Sequence, residues 1–360
     1  MIRPTRSLNE QLALRAIRQA VNIERYKNSV ATELAAVLYR DVLPDIEVQL
    51  YRGLGAVSAG ESMSFSDRRL RALARSLKET LEGGMATARD MLESRLLALA
   101  TSESEIAVLT FRNTVLIPFD WVAPSPALLE RIARLPVQGK ILKTWFARLS
   151  ADAQVEIRKQ LDMGLVEGES IPQLVGRMRG SSQLAYGDGA FPAIRQHVEA
   201  VARTAVGQVS TEVRDATYAA NSEVVKGVQI CATLDERTCE ICMGLDGEEL
   251  PPGKGPRPPF HFSCRCTTAP VLKSWRELGI KAKDIPEGTR ASMDGQAAGK
   301  IAYGDWLKAQ PRAIQNEALG PARAELFRSG KVKADQFVSD YGRRLTLDQL
   351  RKKAGILDGP

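Results

Sequence analysis

The five cysteines of this chain are confined to one short segment, and their distribution constrains the fold more than any other feature. All five lie between Cys231 and Cys266, and the rest of the 360-residue sequence contains none. An odd number of cysteines argues against the disulfide framework of a secreted protein. The positions of these thiols are therefore more informative than their number.

Two sets of metal-ligand residues face each other across this segment. Cys239-Glu-Ile-Cys242 is a chelating pair, and His261-Phe-Ser-Cys264-Arg-Cys266 supplies the second set. Zinc prefers four thiolate or imidazole ligands in a tetrahedron, and a CxxC turn lets two thiolates reach one ion. The loop between the sets is rich in Gly and Pro and cannot bury much apolar surface. The pattern therefore predicts a structural Zn²⁺ that supplies stability in place of a core.

The pattern does not fix the ligand set. Five donors compete for four positions once Cys231 is set aside on a predicted strand. Either the imidazole joins the CxxC pair and one of Cys264 or Cys266, or the four cysteines bind and His261 caps nearby. We favour the first arrangement. The alternatives to zinc are a pair of disulfides, which a reducing cytosol disfavours, and a reduced thiol cluster that binds nothing.

No catalytic centre is recognisable in the sequence. An open zinc site usually joins three ligands, often His or Glu, to a general base, and this chain has only two histidines, His197 and His261. The motifs HExxH, GxxxxGK[ST] and GxSxG are absent, and His261 follows the CxxC pair rather than preceding it as in zinc deaminases. We expect His197 to be a partly exposed helix residue and Asp235 and Asp246 to form turns. The chain is therefore not expected to be an enzyme.

Charge and hydropathy limit the partners only weakly. The sequence has 50 Lys and Arg against 43 Asp and Glu, a net charge of +7, with both signs interspersed. This balance permits non-specific contact with DNA without requiring it. No stretch approaches the roughly 18 apolar residues of a membrane-spanning helix, and the first residues lack an apolar signal core. We therefore expect no membrane partner, and synthesis and use in a cytosol.

Apolar periodicity predicts helices in the first part of the chain. A capping box at 7–10 should begin a long amphipathic helix with an apolar stripe that includes Val21, and Pro44 should interrupt it. A second helix should begin at Ser66-Asp67, bend or break at Gly83-Gly84, and carry a basic face that is more typical of a solvated surface than of a phosphate site. The stretch 106–122 should be extended. The basic face consists of Arg68, Arg69, Arg71, Arg75 and Lys78.

Apolar periodicity in the rest of the chain, together with the cysteine segment, predicts the fold class. We expect a mainly α protein with a small α+β zinc-binding module, in several units with an elongated helical architecture. The predicted helices are 127–149, 151–165, 170–180, 194–222 and three that start near 303, 311 and 345; a loop occupies 180–189 and a strand 224–231. The predicted domain limits are 1–125, 126–275 with the cluster at 231–266, a linker at 276–300, and 301–360.

Several motifs occur in the order and spacing of a known family. They are Ala202-Arg-Thr204 and the helix after it, Thr233-Leu-Asp235, Leu245-Asp246-Gly247, and the HxxCRC ending at 261–266. Together with the CxxC pair they resemble the Mu F-like head morphogenesis family of tailed phages, well over roughly 150–275 and more weakly towards the end. Phe262 stands where that family commonly has proline, so the turn after His261 departs from the family pattern.

The resemblance implies a structural minor capsid protein of the virion head, present in the host cytoplasm during assembly. It would associate with the portal or the procapsid interior and act in head assembly, DNA packaging or delivery. The implied partners are the portal protein and/or the major capsid protein, with residues 1–120 or the C-terminal helices as the docking region. The alternatives are a zinc-dependent enzyme, such as a nuclease or transferase, and a DNA-binding zinc module. The latter is suggested by Lys254, Arg257, Arg265 and Lys273.

Overall fold

The computed structural model of the protein is mainly α-helical, as predicted. Its described residues are 8–54, 67–115, 119–180, 189–278, 289–293, 295–298, 301–338 and 344–356. Contacts divide the chain into two compact units, and both are built from discontinuous segments. The first contains Met1–Glu24, Ala100–Ile132 and Gly207–Pro360, and the second contains Arg25–Leu99 and Ala133–Val206. Among the described helices, none combines the length and apolar character that crossing a membrane requires.

The helices account for most of the described chain. They are α1 (Leu8–Val37), α2 (Leu43–Leu54), α3 (Asp67–Arg112), α4 (Pro126–Ala133), α5 (Leu142–Val166), α6 (Ile171–Arg179), α7 (Ala190–Ala220), α8 (Glu240–Leu245), α9 (Tyr303–Lys308), α10 (Arg312–Leu319), α11 (Pro321–Arg328) and α12 (Leu347–Lys353). The strands are β1 (Val225–Cys231), β2 (Glu249–Leu250), β3 (Thr267–Leu272), β4 (Thr289–Ser292) and β5 (Gly295–Ala298). A short 3-10 turn spans Ala334–Phe337.

Pro44 does not end the first helix, contrary to the prediction. A π-helical turn at Leu38–Val42 joins α1 to α2, so the backbone stays helical up to Leu54. The Leu43 N–H donates to the Leu38 carbonyl five residues earlier, so the π turn continues the helical bonding up to the proline, which has no N–H to donate. Single π turns are a known irregularity within longer helices.

The predicted break at Gly83-Gly84 is also wrong, because α3 runs through both residues. A Cβ added at Gly84 would lie 2.2 Å from Val42 Cγ2, whereas one at Gly83 would have nothing within 4 Å. Gly84 therefore lets α3 approach the π turn closely, which gives this glycine a role in packing.

This difference between the two glycines gives a matched pair of variants. We expect Gly84→Ala to lower the free energy of unfolding by about 1–3 kcal/mol, because stiff Val42 would have to move. Gly83→Ala should instead raise it by about 0.5–1 kcal/mol through its better helix propensity. Urea denaturation of both variants measures the difference, and equal effects would contradict the packing role of Gly84.

The extended region predicted at 106–122 is wrong for its first seven residues, which belong to α3. Val108 and Phe111 are buried, while Leu109 between them is 50 % exposed, so the apolar run follows helical spacing. Short apolar runs do not distinguish a strand from a buried helix. The helix break predicted near 150 is also misplaced. It lies between α4 and α5, where Val137 and Lys140 form an isolated antiparallel bridge.

Other predicted elements are confirmed with small shifts. α6 begins where predicted and has a capping box between Ser170 and Gln173. α7 covers the predicted long helix almost to its end, and β1 follows it. The predicted 276–300 linker contains the hairpin of β4 and β5, which the polar composition did not indicate. Residues 181–188 of the predicted loop lie outside the described residues.

The small sheet positions the cysteine segment. β1 lies between β2 and β3 and pairs antiparallel with both. Val225 and Val228 of β1 pack in an apolar cluster with Phe111 and Trp121. The rings of Phe111 and Trp121 stack there with their centroids 4.4 Å apart. Cys231 at the end of β1 pairs with Thr267 at the start of β3. The chain therefore leaves β1 and enters β3 at the same end of the sheet.

Candidate metal centre

The sheet brings the two predicted ligand sets together. The CxxC segment follows β1, and the second set runs directly into β3, so both lie at the sheet end marked by the Cys231–Thr267 pair. Cys231 itself is not part of the site. It packs with Ala16 and Ala269 in a separate small cluster. Cys231 therefore lies outside the two groups of donor atoms.

The CxxC pair sits at the start of α8. Cys239 is the N-cap residue, with extended backbone angles, and Cys242 lies in the first turn. Residues three positions apart project from the same side of a helix. The local fold therefore points both thiols towards the second ligand set.

The second set is held by a tight turn. The Cys264 N–H donates to the His261 carbonyl at 3.2 Å, and Ser263 between them has a left-handed backbone with φ of 57°. His261 Nδ1 lies 2.8 Å from the Phe262 carbonyl oxygen. Because a carbonyl oxygen can only accept, Nδ1 must carry a proton, so in the neutral imidazole Nε2 has the lone pair that a metal would take. Phe262 therefore supports the turn by its backbone, although proline is common there in the resembled family.

The distances between donor atoms fit one tetrahedral ion. Cys239 Sγ and Cys242 Sγ lie 3.2 and 3.3 Å from His261 Nε2, and Cys242 Sγ lies 3.7 Å from Cys264 Sγ. Zn–S bonds of about 2.3 Å and Zn–N bonds of about 2.0 Å imply tetrahedral edges of about 3.8 Å between sulfurs and about 3.5 Å between sulfur and nitrogen. The sulfur pair matches this geometry, and the sulfur–nitrogen pairs are slightly shorter.

The donors form two overlapping groups. Cys239, Cys242 and His261 make one group, and Cys242, Cys264 and Cys266 make the other; within each, the donor atoms lie within 4.8 Å of one another. Cys242 is the donor common to both. None of the five cysteines forms a disulfide, so no disulfide competes with a metal in this structure. The structure thus brings together all five predicted donors.

The donors share protons unequally. The hydrogen bond to Cys242 lowers the pKa of Cys239 to about 4, while bonds donated to the sulfurs of Cys239 and Cys264 raise the pKa of His261 to about 10. The hydrogen bond to Cys239 raises the pKa of Cys242. This pattern arises where several thiolates would repel one another and must share protons. A cation would take the place of those protons, since thiolate ligands bind metals only after deprotonation.

The two aspartates beside the CxxC pair support the surrounding turns. Asp235 accepts from the Arg237 N–H at 3.1 Å, as expected of a turn residue, and from Arg265 Nη2 at 2.8 Å. Burial alone would raise the pKa of Asp235, but the bonds from Arg265 hold it below its usual value. Asp246 instead links two segments through the Ala232 and Tyr303 N–H groups. No pattern around Asp246 predicts this linking role.

Two of the four basic residues near the cluster are occupied within the protein. Arg257 Nε lies 2.9 Å from Asp215 Oδ1, and its Nη2 donates to the Pro251 carbonyl at 2.7 Å. Arg265 pairs with Asp235. Neither guanidinium is therefore free to bind phosphate. His197, as predicted, is an exposed residue of α7.

The fold and the site together define a class of protein. It is mainly helical, and turns at one end of a small antiparallel sheet bring four thiols and one imidazole together. Residues 155–269, which include this cluster, match the family described as Phage Mu protein F like protein. This segment is therefore similar to phage Mu F-like proteins, and the predicted resemblance is confirmed over these residues. No curated protein and no solved structure matches the chain.

Proposed function

We propose that the protein is a minor structural component of a tailed-phage head. The match of 155–269 to phage Mu protein F like proteins carries this proposal. Its place is the virion, and the host cytoplasm during assembly, next to the portal protein and/or the major capsid protein. It acts there in head assembly, DNA packaging or delivery. The described residues lend no support to the enzyme or DNA-binding alternatives. For DNA binding, two of the basic side chains nearest the cluster, Arg257 and Arg265, already form ion pairs within the protein.

Deletion of the gene in the encoding phage tests this function. We expect the protein to co-sediment with purified heads, and heads assembled without it to be fewer or defective in DNA content. Complementation with the wild-type chain should restore them. Normal particle yield and infectivity without the protein would contradict the proposal.

We propose that the surface that docks to the portal or capsid protein lies in the N-terminal helices, within residues 1–120. The C-terminal helices α9, α11 and α12 bury their apolar side chains within their own unit, around Leu234 and Met243. They therefore offer less apolar surface to a partner than the sequence suggested. Co-purification of truncated chains with portal protein tests this, and undiminished association after removal of residues 1–120 would exclude that region.

Within this function the cluster holds one structural Zn²⁺ through Cys239, Cys242, His261 and Cys264. The choice of the fourth ligand rests on contacts: Cys264 contacts both Cys242 and His261. Cys266 hydrogen-bonds to Cys242 and Cys264. Cys266 then supports the sulfur ligands without binding the ion. The zinc closes a module whose loops have little apolar surface to bury.

Paired alanine variants test this ligand assignment. We expect Cys264→Ala to weaken zinc binding by at least about 100-fold, whereas Cys266→Ala should weaken it about 10-fold, in the range of lost outer hydrogen bonds to metal ligands. Competition with a chromophoric chelator measures both. The reverse order would assign Cys266 as the ligand, and equal small effects would argue against a site of this composition.

A further inference from the structure

The single helical turn that carries the CxxC pair presents a second face. α8 spans only Glu240–Leu245, and its thiols face His261. The three-residue spacing that places Cys239 and Cys242 on one side also places Glu240 and Met243 on the adjacent side. Residues that pack against this second side therefore contact the same short helix whose thiols would bind the metal.

The second face is covered by the C-terminal cap, which we define as α9 to α12 with the 3-10 turn, within residues 303–338 and 344–353. Met243 is buried in one apolar cluster with the cap. A Cβ added at Gly244 would lie 3.1 Å from Val338 Cγ2, so the backbone of α8 lies against the cap. The cap residues of the cluster include Tyr303, Trp306, Leu307, Phe327, Phe337 and Leu350.

Glu240 is the polar part of this contact. It is only 5 % exposed. Arg323 Nη1 donates to its Oε1 at 3.0 Å, and Arg344 Nη2 donates to the same oxygen at 3.1 Å. A carboxylate withdrawn from water is costly unless it is paired. The buried position of Glu240 therefore depends on two arginines supplied by the cap.

The other end of α8 is tied to the cap as well. Asp246, its C-cap residue, accepts from the Ala232 N–H and from the Tyr303 N–H, both at 2.7 Å. Its carboxylate joins the chain leaving β1 to the first residue of the cap. Both ends of α8 thus contact the cap directly through charged side chains.

We propose that zinc binding and docking of the C-terminal cap are thermodynamically linked through α8, so that loss of the metal releases the cap. The linkage rests on the structural zinc proposed above. A helix of six residues is too short to be stable alone, so α8 needs the support of its two neighbours. Because linkage is reciprocal, a loosened cap must weaken zinc binding by the same factor by which zinc loss loosens the cap.

Hydrogen–deuterium exchange on the full chain, zinc-loaded and after treatment with a chelator, tests the linkage. Zinc removal should raise exchange in 303–338 and 347–353 by about tenfold or more while α5 stays protected. In the zinc-loaded protein, Glu240→Gln should raise cap exchange and weaken zinc binding, each by about tenfold. Glu249→Gln is the matched control, since it removes an exposed carboxylate on β2.

The outcomes separate this inference from the zinc site itself. Zinc that binds and leaves with no change in cap exchange overturns the linkage alone. Glu240→Gln behaving like Glu249→Gln in both measurements does the same, even if chelation unfolds the whole chain. A protein that takes up no zinc overturns both the linkage and the structural zinc.

Discussion

Replacing Cys242 by serine is expected to abolish stoichiometric zinc binding and to unfold the module around the cluster. Cys242 is the one donor shared by both groups of ligands, so no rearrangement among the remaining four replaces it. Apparent zinc-binding free energies in small structural sites are about 10–16 kcal/mol at pH 7. We therefore expect the free energy of unfolding to fall by more than about 4 kcal/mol, the range reached when a metal is lost.

Elemental analysis and thermal denaturation measure this effect, and Cys231→Ala provides the control. Cys231 is also a buried thiol of the same segment, but it lies on β1 outside the cluster. The control should keep one zinc per chain. Its free energy of unfolding should fall only by the small cost of the cavity that one sulfur atom leaves. Full zinc occupancy in Cys242→Ser, or a wild-type protein equally stable in excess chelator, would contradict a structural metal.

The ligand cluster could be predicted from sequence because its information is local. The spacing of Cys239 and Cys242 defines a chelating turn wherever it occurs, and the cysteine-free remainder leaves no other candidate. The residues that fix the cluster in the fold could not be predicted in this way. Glu240 acquires its role only when Arg323 and Arg344, far along the chain, fold against it.

The helical regions show the same division between local and tertiary information. Apolar periodicity predicts that the helices exist, but it does not predict which face of each is buried. Val21, which belongs to the predicted apolar stripe, is 48 % exposed. A glycine that breaks a helix and one that admits a neighbour look alike in sequence, so the packing role of Gly84 cannot be predicted from the sequence alone. Both compact units combine distant segments, and no pass along the chain reveals such an arrangement.

A buried ion pair in the first unit was likewise invisible to the sequence. Arg214 Nε lies 3.3 Å from Glu103 Oε1, and the two side chains are 6 % and 1 % exposed. Gln19 donates to the other oxygen of Glu103 at 2.7 Å, and Arg214 Nη1 donates to Thr267 Oγ1 at 2.8 Å. The pair therefore joins α1, α3 and α7 to the first residue of β3, directly after the cysteine cluster.

Removing one partner of this pair should be far more damaging than removing both. Arg214→Met leaves the Glu103 carboxylate buried without its cation, and we expect the free energy of unfolding to fall by about 3–5 kcal/mol. The double variant Glu103→Leu/Arg214→Met removes both charges and fills their space, so it should recover most of that loss. Arg158→Met, which breaks an exposed pair with Asp162, is the control and should cost less than about 1 kcal/mol.

A double-mutant cycle in urea measures the coupling between the two charges. The single and double variants must be compared at one ionic strength, because the exposed control pair is screened by salt and the buried pair much less. If the double variant is as unstable as the sum of the single variants, the two side chains act independently, and the joint between the helices and β3 is maintained by packing alone. If the double variant recovers the free energy of unfolding that Arg214→Met loses, the loss comes from the unpaired buried charge. The packing of α1, α3 and α7 then tolerates the removal of both polar groups.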